Sequence, residues 1–179
     1  MKKRRRSITT GLGDGGMTRL YSGEEVPKDS PRPDVCGDID ELVSALGLAR
    51  AHAARKESRE GVLHVQRSLF IVASELATSP EGTGLLEKRV DADMVKTLEG
   101  RRLTLESKVD IPRGFAIPGD SVAAAHLDLA RAIARRAERK VVALLRGAEV
   151  RNEHLLVWMN RVSDYLWLLA RLEEKRSKG

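Results

Sequence analysis

The chain has 179 residues, of which 41% are hydrophobic and 32% charged, proportions of a folded domain with its own core and not of a disordered chain. A single cysteine, Cys36, excludes an intrachain disulfide and multi-cysteine metal sites, and no apolar run is long enough for a membrane span, so a reducing cytoplasm is the expected compartment. The formal charge of +6 invites a nucleic-acid reading, yet Lys2-Lys3-Arg4-Arg5-Arg6 holds much of it, and no zinc-finger spacing or aromatic-basic interleaving follows.

Residues 1–6 read as a basic, disordered leader, and with no apolar segment behind them they do not read as a signal peptide. The next stretch, from Ser7 through Gly11, Leu12, Gly13, Asp14, Gly15 and Gly16 to Thr18 and Arg19, is glycine-rich with Thr9, Thr10 and Thr18 at its flanks. Such a backbone wraps closely and aims N–H groups at phosphate oxygens. Gly11, Gly13 and Gly16 also spell a dinucleotide fingerprint, but no strand of useful length precedes them. The Walker spacing fails as well, because Met17 stands where the lysine belongs. A proline-rich loop then runs to Pro33.

Five helices are predicted from apolar periodicity. The first starts near Asp34 to Asp38, where Asp38 and Glu41 resemble a capping box, and runs to about Lys56. The second spans about Ser58 to Thr78 on a stripe of Val62, Val65, Leu69, Val72 and Leu76, and Ser79 to Gly84 reads as a loop. The third, weakened by Gly100, covers about Asp91 to Val109. Pro112 and Pro118 make the segment around Phe115 irregular. Ser121 caps a fourth helix reaching Arg146, and a fifth runs from about Asn152 to Lys175. Its apolar stripe is Leu155, Trp158, Val162, Leu166 and Leu169, with Asn160, Asp164 and Trp167 opposite. No convincing strand is found. The expected fold is all-α, one domain over residues 7–176, a five-helix up-down bundle of the ferritin-like kind.

The fourth helix carries the strongest chemical signal. Arg131, Arg135, Glu138 and Arg139 share one arc, with Leu129, Ile133, Ala137, Val141 and Leu144 placed on the opposite one. Guanidinium forks braced by a carboxylate suit a multi-oxygen anion such as a phosphate chain. The bland alternative is a solvated face laced with ion pairs. His52, His64, His126 and His154 have no partners at metal-ligand spacing and read as structural, as does Cys36.

Three blocks stand in order: Thr10-x-x-Gly13-Asp14-x-Gly16-x-Thr18, Arg131-x-x-x-Arg135-Arg136-Ala137-Glu138-Arg139, and Asn160-Arg161-Val162-Ser163-Asp164-Tyr165-Leu166. Between them lie Val26-Pro27-Lys28-Asp29, Gly37-x-x-Asp40-Glu41-Leu42 and Phe115-Ala116-Ile117-Pro118-Gly119. From about Ser7 to Arg171 the chain resembles the PduO-type ATP:cob(I)alamin adenosyltransferases.

The resemblance implies a homotrimer with ATP and a reduced corrinoid bound between subunits, and transfer of the 5′-deoxyadenosyl group of ATP to cobalt(I). It implies an ATP loop over residues 7–33, with Thr10, Gly11, Leu12, Gly13, Asp14, Gly16, Thr18, Arg19 and Lys28 at the nucleotide and magnesium held through its phosphates. Arg135, Arg136, Glu138, Arg139 and Asn160 match nucleotide-contacting positions on the long helices. Asp40 and Arg131 match a salt bridge between subunits. Phe115 matches an aromatic that crowds the corrin, and Asp164 and Trp167 are candidates for the same pocket. A flavin-type reductase and an adenosylcobalamin-dependent enzyme are the implied protein partners.

The match departs from the family at Gly11 and Leu12, where a basic residue and a threonine are usual, and at Val43 and Asp120. The segment after Arg171 is short, so a corrin-covering tail is expected to be missing. The alternative function is therefore a catalytically weak relative that delivers adenosylcobalamin or senses nucleotide.

Overall fold

The computed structural model describes residue 9 and residues 11–174. Five α-helices carry the fold: α1 (Pro31–His52), α2 (Lys56–Leu76), α3 (Ala92–Glu106), α4 (Val122–Arg146) and α5 (Glu153–Glu174). Two short strands, β1 (Met17–Arg19) and β2 (Glu25–Pro27), pair antiparallel with Thr18 opposite Val26. This hairpin corrects the expectation of no strand. Three-residue strands are too short to show a period of two in a sequence. The expected loop after α2 also holds a 3-10 helix over Pro80–Leu85.

The helices form where an apolar stripe recurs, and the stripes meet in one core. α5 packs on α4, α3 and α2, while α1 closes the bundle against α4 and α2. Trp158, Leu155, Leu166 and Leu169 of α5 meet Val62, Val65, Leu69 and Val72 of α2 with no exposed surface. Gly61 permits the close approach of α2 to α5, because a Cβ there would sit 2.5 Å from Tyr165 Oη. Gly100, by contrast, lies on the exposed side of α3 and leaves the helix intact.

Helix starts obey local chemistry, with one correction. Asp91 accepts from Met94 N at 2.8 Å and Ser121 accepts from Ala124 N at 3.1 Å. α1, however, starts at Pro31 after Ser30, earlier than expected, and ends at His52. A proline loses nothing in a first turn whose N–H groups have no intrahelical partner. Asp38 is thus well inside the helix and caps nothing; it is buried against α4. The start of α2 is served from a distance, where Glu173 accepts from Ala54 N and Arg55 N at 3.0 and 3.1 Å.

Two ends of the bundle can now be distinguished. At one, Arg32 donates to Leu76 O and Thr78 O at 2.9 and 2.6 Å and pairs with Glu149, joining α1, the end of α2 and the α4–α5 turn. Buried Glu75 accepts there from Val90 N and Asn152 Nδ2 at 2.9 and 2.8 Å. The hairpin is fastened to this end, with Tyr21 N donating to Ala77 O at 2.8 Å and Ser79 N to Ser22 Oγ at 3.0 Å. The other end gathers His52, Ser121 and Glu173. There His52 stacks on His126 with ring centroids 5.5 Å apart, which suits the structural reading of both.

Candidate functional site

The glycine loop is built as a wrapped backbone. Gly11 and Gly16 adopt φ of 72° and 81°, a region that favours glycine. Asp14 N donates to Gly11 O at 3.3 Å, Gly16 N to Gly13 O at 3.2 Å, and Lys28 N to Gly16 O at 2.9 Å. The hairpin returns the chain so that Lys28 lies over the loop: a Cβ on Gly13 would sit 2.8 Å from Lys28 Nζ. An ammonium above a glycine-rich turn has the charge and N–H groups that can receive a phosphate chain. Leu12, Asp14 and Arg19 are exposed around it, and Thr18 is half-buried in β1. Thr10, Ser7 and the leader lie outside the described residues, as does Lys175.

On α4 the arginines Arg131, Arg135, Arg136 and Arg139 separate into three settings. Arg135 and Arg139 are exposed. Arg136 turns to α1, where its Nε lies 3.2 Å from Asp38 Oδ1 and its Nη2 donates to Glu41. Lys140 continues that seam, with Nζ 2.8 Å from Asp34 Oδ1 and 3.0 Å from Asp38 Oδ2. Burial opposes its charge, but the two aspartates prevail and hold the ammonium above its ordinary value. Arg131 is half-buried beside Asp128, with Nε 3.5 Å from Oδ1.

Two expectations for α4 need correction. Glu138 is half-buried, and among the described residues no ion pair joins it to an arginine. The bracing carboxylates are Asp38, Glu41 and Asp128 instead, which sequence spacing did not single out for that task. Leu129 is 52% exposed and does not belong to the buried stripe. It lies one residue, about 100°, from Ala130, which is in the buried arc.

The segment between α3 and α4 presents Phe115 fully, and Ile117 for the most part, to the outside. Gly119, at φ 130°, turns the chain toward Ser121, and a cleft of about 440 Å³ lined by His52, Gly119, Asp120 and Glu173 opens beside it. On α5, Asn160 and Asp164 are exposed, and Arg161 is tied to Glu99 of α3 at 2.9 Å. Trp167 is half-buried under Arg171, whose guanidinium carbon stands 5.2 Å from the ring centroid. Asp40 is exposed on α1. Cys36 is mostly buried, and burial pushes its thiol up to about 11, which suits an inert residue.

One chain therefore brings together Gly13 and Lys28, but it does not bring together the glycine loop and Phe115. The loop sits where α2 ends and α1 begins, and Phe115 precedes α4 at the other end. α4 alone spans Val122–Arg146 between them.

A family model described as cobalamin adenosyltransferase matches residues 8–173. The chain belongs to the cobalamin adenosyltransferase family. A corrinoid adenosyltransferase of Citrobacter freundii is 35% identical over 170 residues, covering 93% of this chain and 94% of that protein. The corrinoid adenosyltransferase PduO of the same organism is 37% identical over 169 residues, and the chain spans 50% of its length. Among solved structures, a variant of the PduO-type ATP:co(I)rrinoid adenosyltransferase of Lactobacillus reuteri complexed with ATP superposes with a TM-score of 0.81. It is 31% identical, with 93% of each chain covered. Another variant of the Lactobacillus reuteri enzyme, complexed with cobalamin and ATP, gives a TM-score of 0.81 at 29% identity, with 92% of each chain covered. No described helix of this chain is long and apolar enough to cross a membrane.

Proposed function

We propose that this corrinoid adenosyltransferase joins C5′ of ATP to the cobalt(I) of a reduced corrinoid at a site assembled from two copies of the chain, within a homotrimer. The observation that carries the two-copy site is the separation just described. The glycine loop with Lys28 and the Phe115 segment stand at opposite ends of α4, whose 25 residues span about 37 Å. The arginine row faces outward between them. A second copy brings its loop to this copy's arginines, and the bridge between Asp40 and Arg131 would then join the copies.

The chemistry asks little of side chains as bases. Cobalt(I) supplies the electron pair for the new Co–C bond, the C5′–O bond breaks, and triphosphate leaves with that bond's electrons. Stabilising the charge growing on the leaving group is the protein's task. Arg135, Arg139 and Arg136 supply guanidiniums, Gly13 and its neighbours supply N–H groups, and Lys28 supplies a point charge. Glu138 and Asn160 are assigned to the nucleoside end. Magnesium arrives with the triphosphate as part of the substrate. Phe115, exposed and rigidly flanked by Pro112 and Pro118, covers one face of the corrin, with Asp164 and Trp167 at the pocket wall. Keeping cobalt(II) without an axial ligand there eases its reduction to cobalt(I). A flavin-type reductase would supply the electron, an adenosylcobalamin-dependent enzyme would take the product, and the cytoplasm suits the lone thiol.

Mixing two impaired variants, assayed from cob(II)alamin with a reductant and at limiting ATP, tests the assembly. Lys28→Ala and Phe115→Ala chains, unfolded and refolded together, are expected to regain turnover, because some interfaces then carry an intact loop facing an intact Phe115. Co-refolding that restores nothing, although each variant alone binds one substrate, would contradict a site shared between copies.

A further inference from the structure

About two turns into α4, Asp128 uses its two oxygens on two different cations. Oδ2 accepts from Arg171 Nη2 at 2.6 Å, and Oδ1 lies 3.5 Å from Arg131 Nε. The side chains of Asp128 and Arg171 are each 4% exposed. Arg171 also pairs with Glu174 at 2.5 Å and lies over the Trp167 ring. One carboxylate and one guanidinium thus connect Arg131 on α4 to Trp167 on α5.

Stability alone is a poor account of this arrangement. Taking Asp128 and Arg171 out of water carries a desolvation penalty, and a well-packed apolar pair is often as stabilising. What the pair adds is geometry. Asp128 limits the swing of Arg131, which among the described residues is the member of the arginine row paired with a carboxylate of its own helix. The flat guanidinium of Arg171, fixed by Asp128 and Glu174, sets the plane on which Trp167 rests.

We propose that Asp128 and Arg171 are positioning residues, which fix Arg131 and Trp167 relative to each other so that the anion-binding row and the corrinoid wall keep one registry. This rests on the reading that Arg131 and Trp167 face the site. The side chains of Asp128 and Arg171 are buried, so their effect runs through the two residues they hold.

A double-mutant cycle tests it. Asp128→Asn keeps the shape and removes the charge; it is expected to lower kcat about tenfold while KM for ATP stays within about twofold. The double variant with Asp128→Asn and Arg131→Ala is expected to lose clearly less than the product of the two single losses, because the contact they share is removed only once. Arg171→Lys, which keeps charge but not the planar fork, enters the same cycle should Asp128→Asn not fold. It is expected to raise KM for the corrinoid more than KM for ATP. Arg131→Ala with unchanged kcat and KM would remove the reading of Arg131 and the proposal with it. An impaired Arg131→Ala beside an unimpaired Asp128→Asn, or losses that multiply in the double variant, would overturn the proposal alone.

Discussion

Asp38 of α1 holds Arg136 of α4, with Oδ1 3.2 Å from Nε, while its other oxygen lies 3.0 Å from Lys140 Nζ. The contact fixes the antiparallel register of the two helices, since Asp34 before it meets Lys140 later on α4. It also sets Arg136 apart from Arg135 and Arg139, whose guanidiniums remain exposed. Removing the carboxylate leaves two cations side by side at a half-buried seam. Asp38→Ala is expected to lower stability by about 1 to 3 kcal/mol, read as a lower urea midpoint at unchanged slope.

Arg135 and Arg139 behave in the opposite way. They are exposed, so Arg135→Ala or Arg139→Ala should leave the urea midpoint in place. Each is expected to remove about 2 to 4 kcal/mol of transition-state stabilisation, seen in kcat/KM. Activity within threefold of the parent would reduce the arginine row to a solvated surface.

Gly13 tests the phosphate loop with one atom. The Cβ of Gly13→Ala would stand 2.8 Å from Lys28 Nζ and 3.1 Å from Cε. Lysine ends are flexible, so the fold tolerates the change by moving the ammonium aside. Thermal unfolding is expected to stay constant while KM for ATP rises about tenfold, as loss of one charge-assisted contact implies. Unchanged KM would mean that Lys28 does not meet the phosphates.

Cys36 should be unreactive. Burial raises its thiol from the ordinary 9.0 to about 11, so at pH 8 only about one molecule in a thousand carries the thiolate. Alkylation by iodoacetamide is expected to be slow at pH 8 and to accelerate as pH approaches 11. The linkage follows the same sign. Stability from the neutral buried thiol is complete below pH 9.0 and is withdrawn as pH rises through about 11.

Much of this fold is legible in the sequence because it depends on local periodicity. The stripes of α2 and α5 and the Ser121 cap are where the apolar and hydroxyl residues place them. Asp38 misled because an aspartate three residues before a glutamate resembles a helix start, whereas its partners stand on α4. The hairpin is too short for its period to show. The proposed parts of the site are visible in the sequence for the same local reason, as a glycine cluster, a row of guanidiniums and an aromatic between prolines. What holds those parts is not. Arg32, Glu75, Asp128 and Arg171 are buried charges, each with a partner on another element, and sequence spacing does not show those distant partners.

The central claim is that this chain adenosylates a reduced corrinoid. Purified protein with ATP, magnesium and chemically reduced cob(I)alamin, kept without oxygen and followed by absorbance, measures it directly. The account predicts continuous formation of adenosylcobalamin, with triphosphate released in equal amount. ATP binding without any adenosylcobalamin would contradict it and leave a relative that senses nucleotide or delivers the finished cofactor.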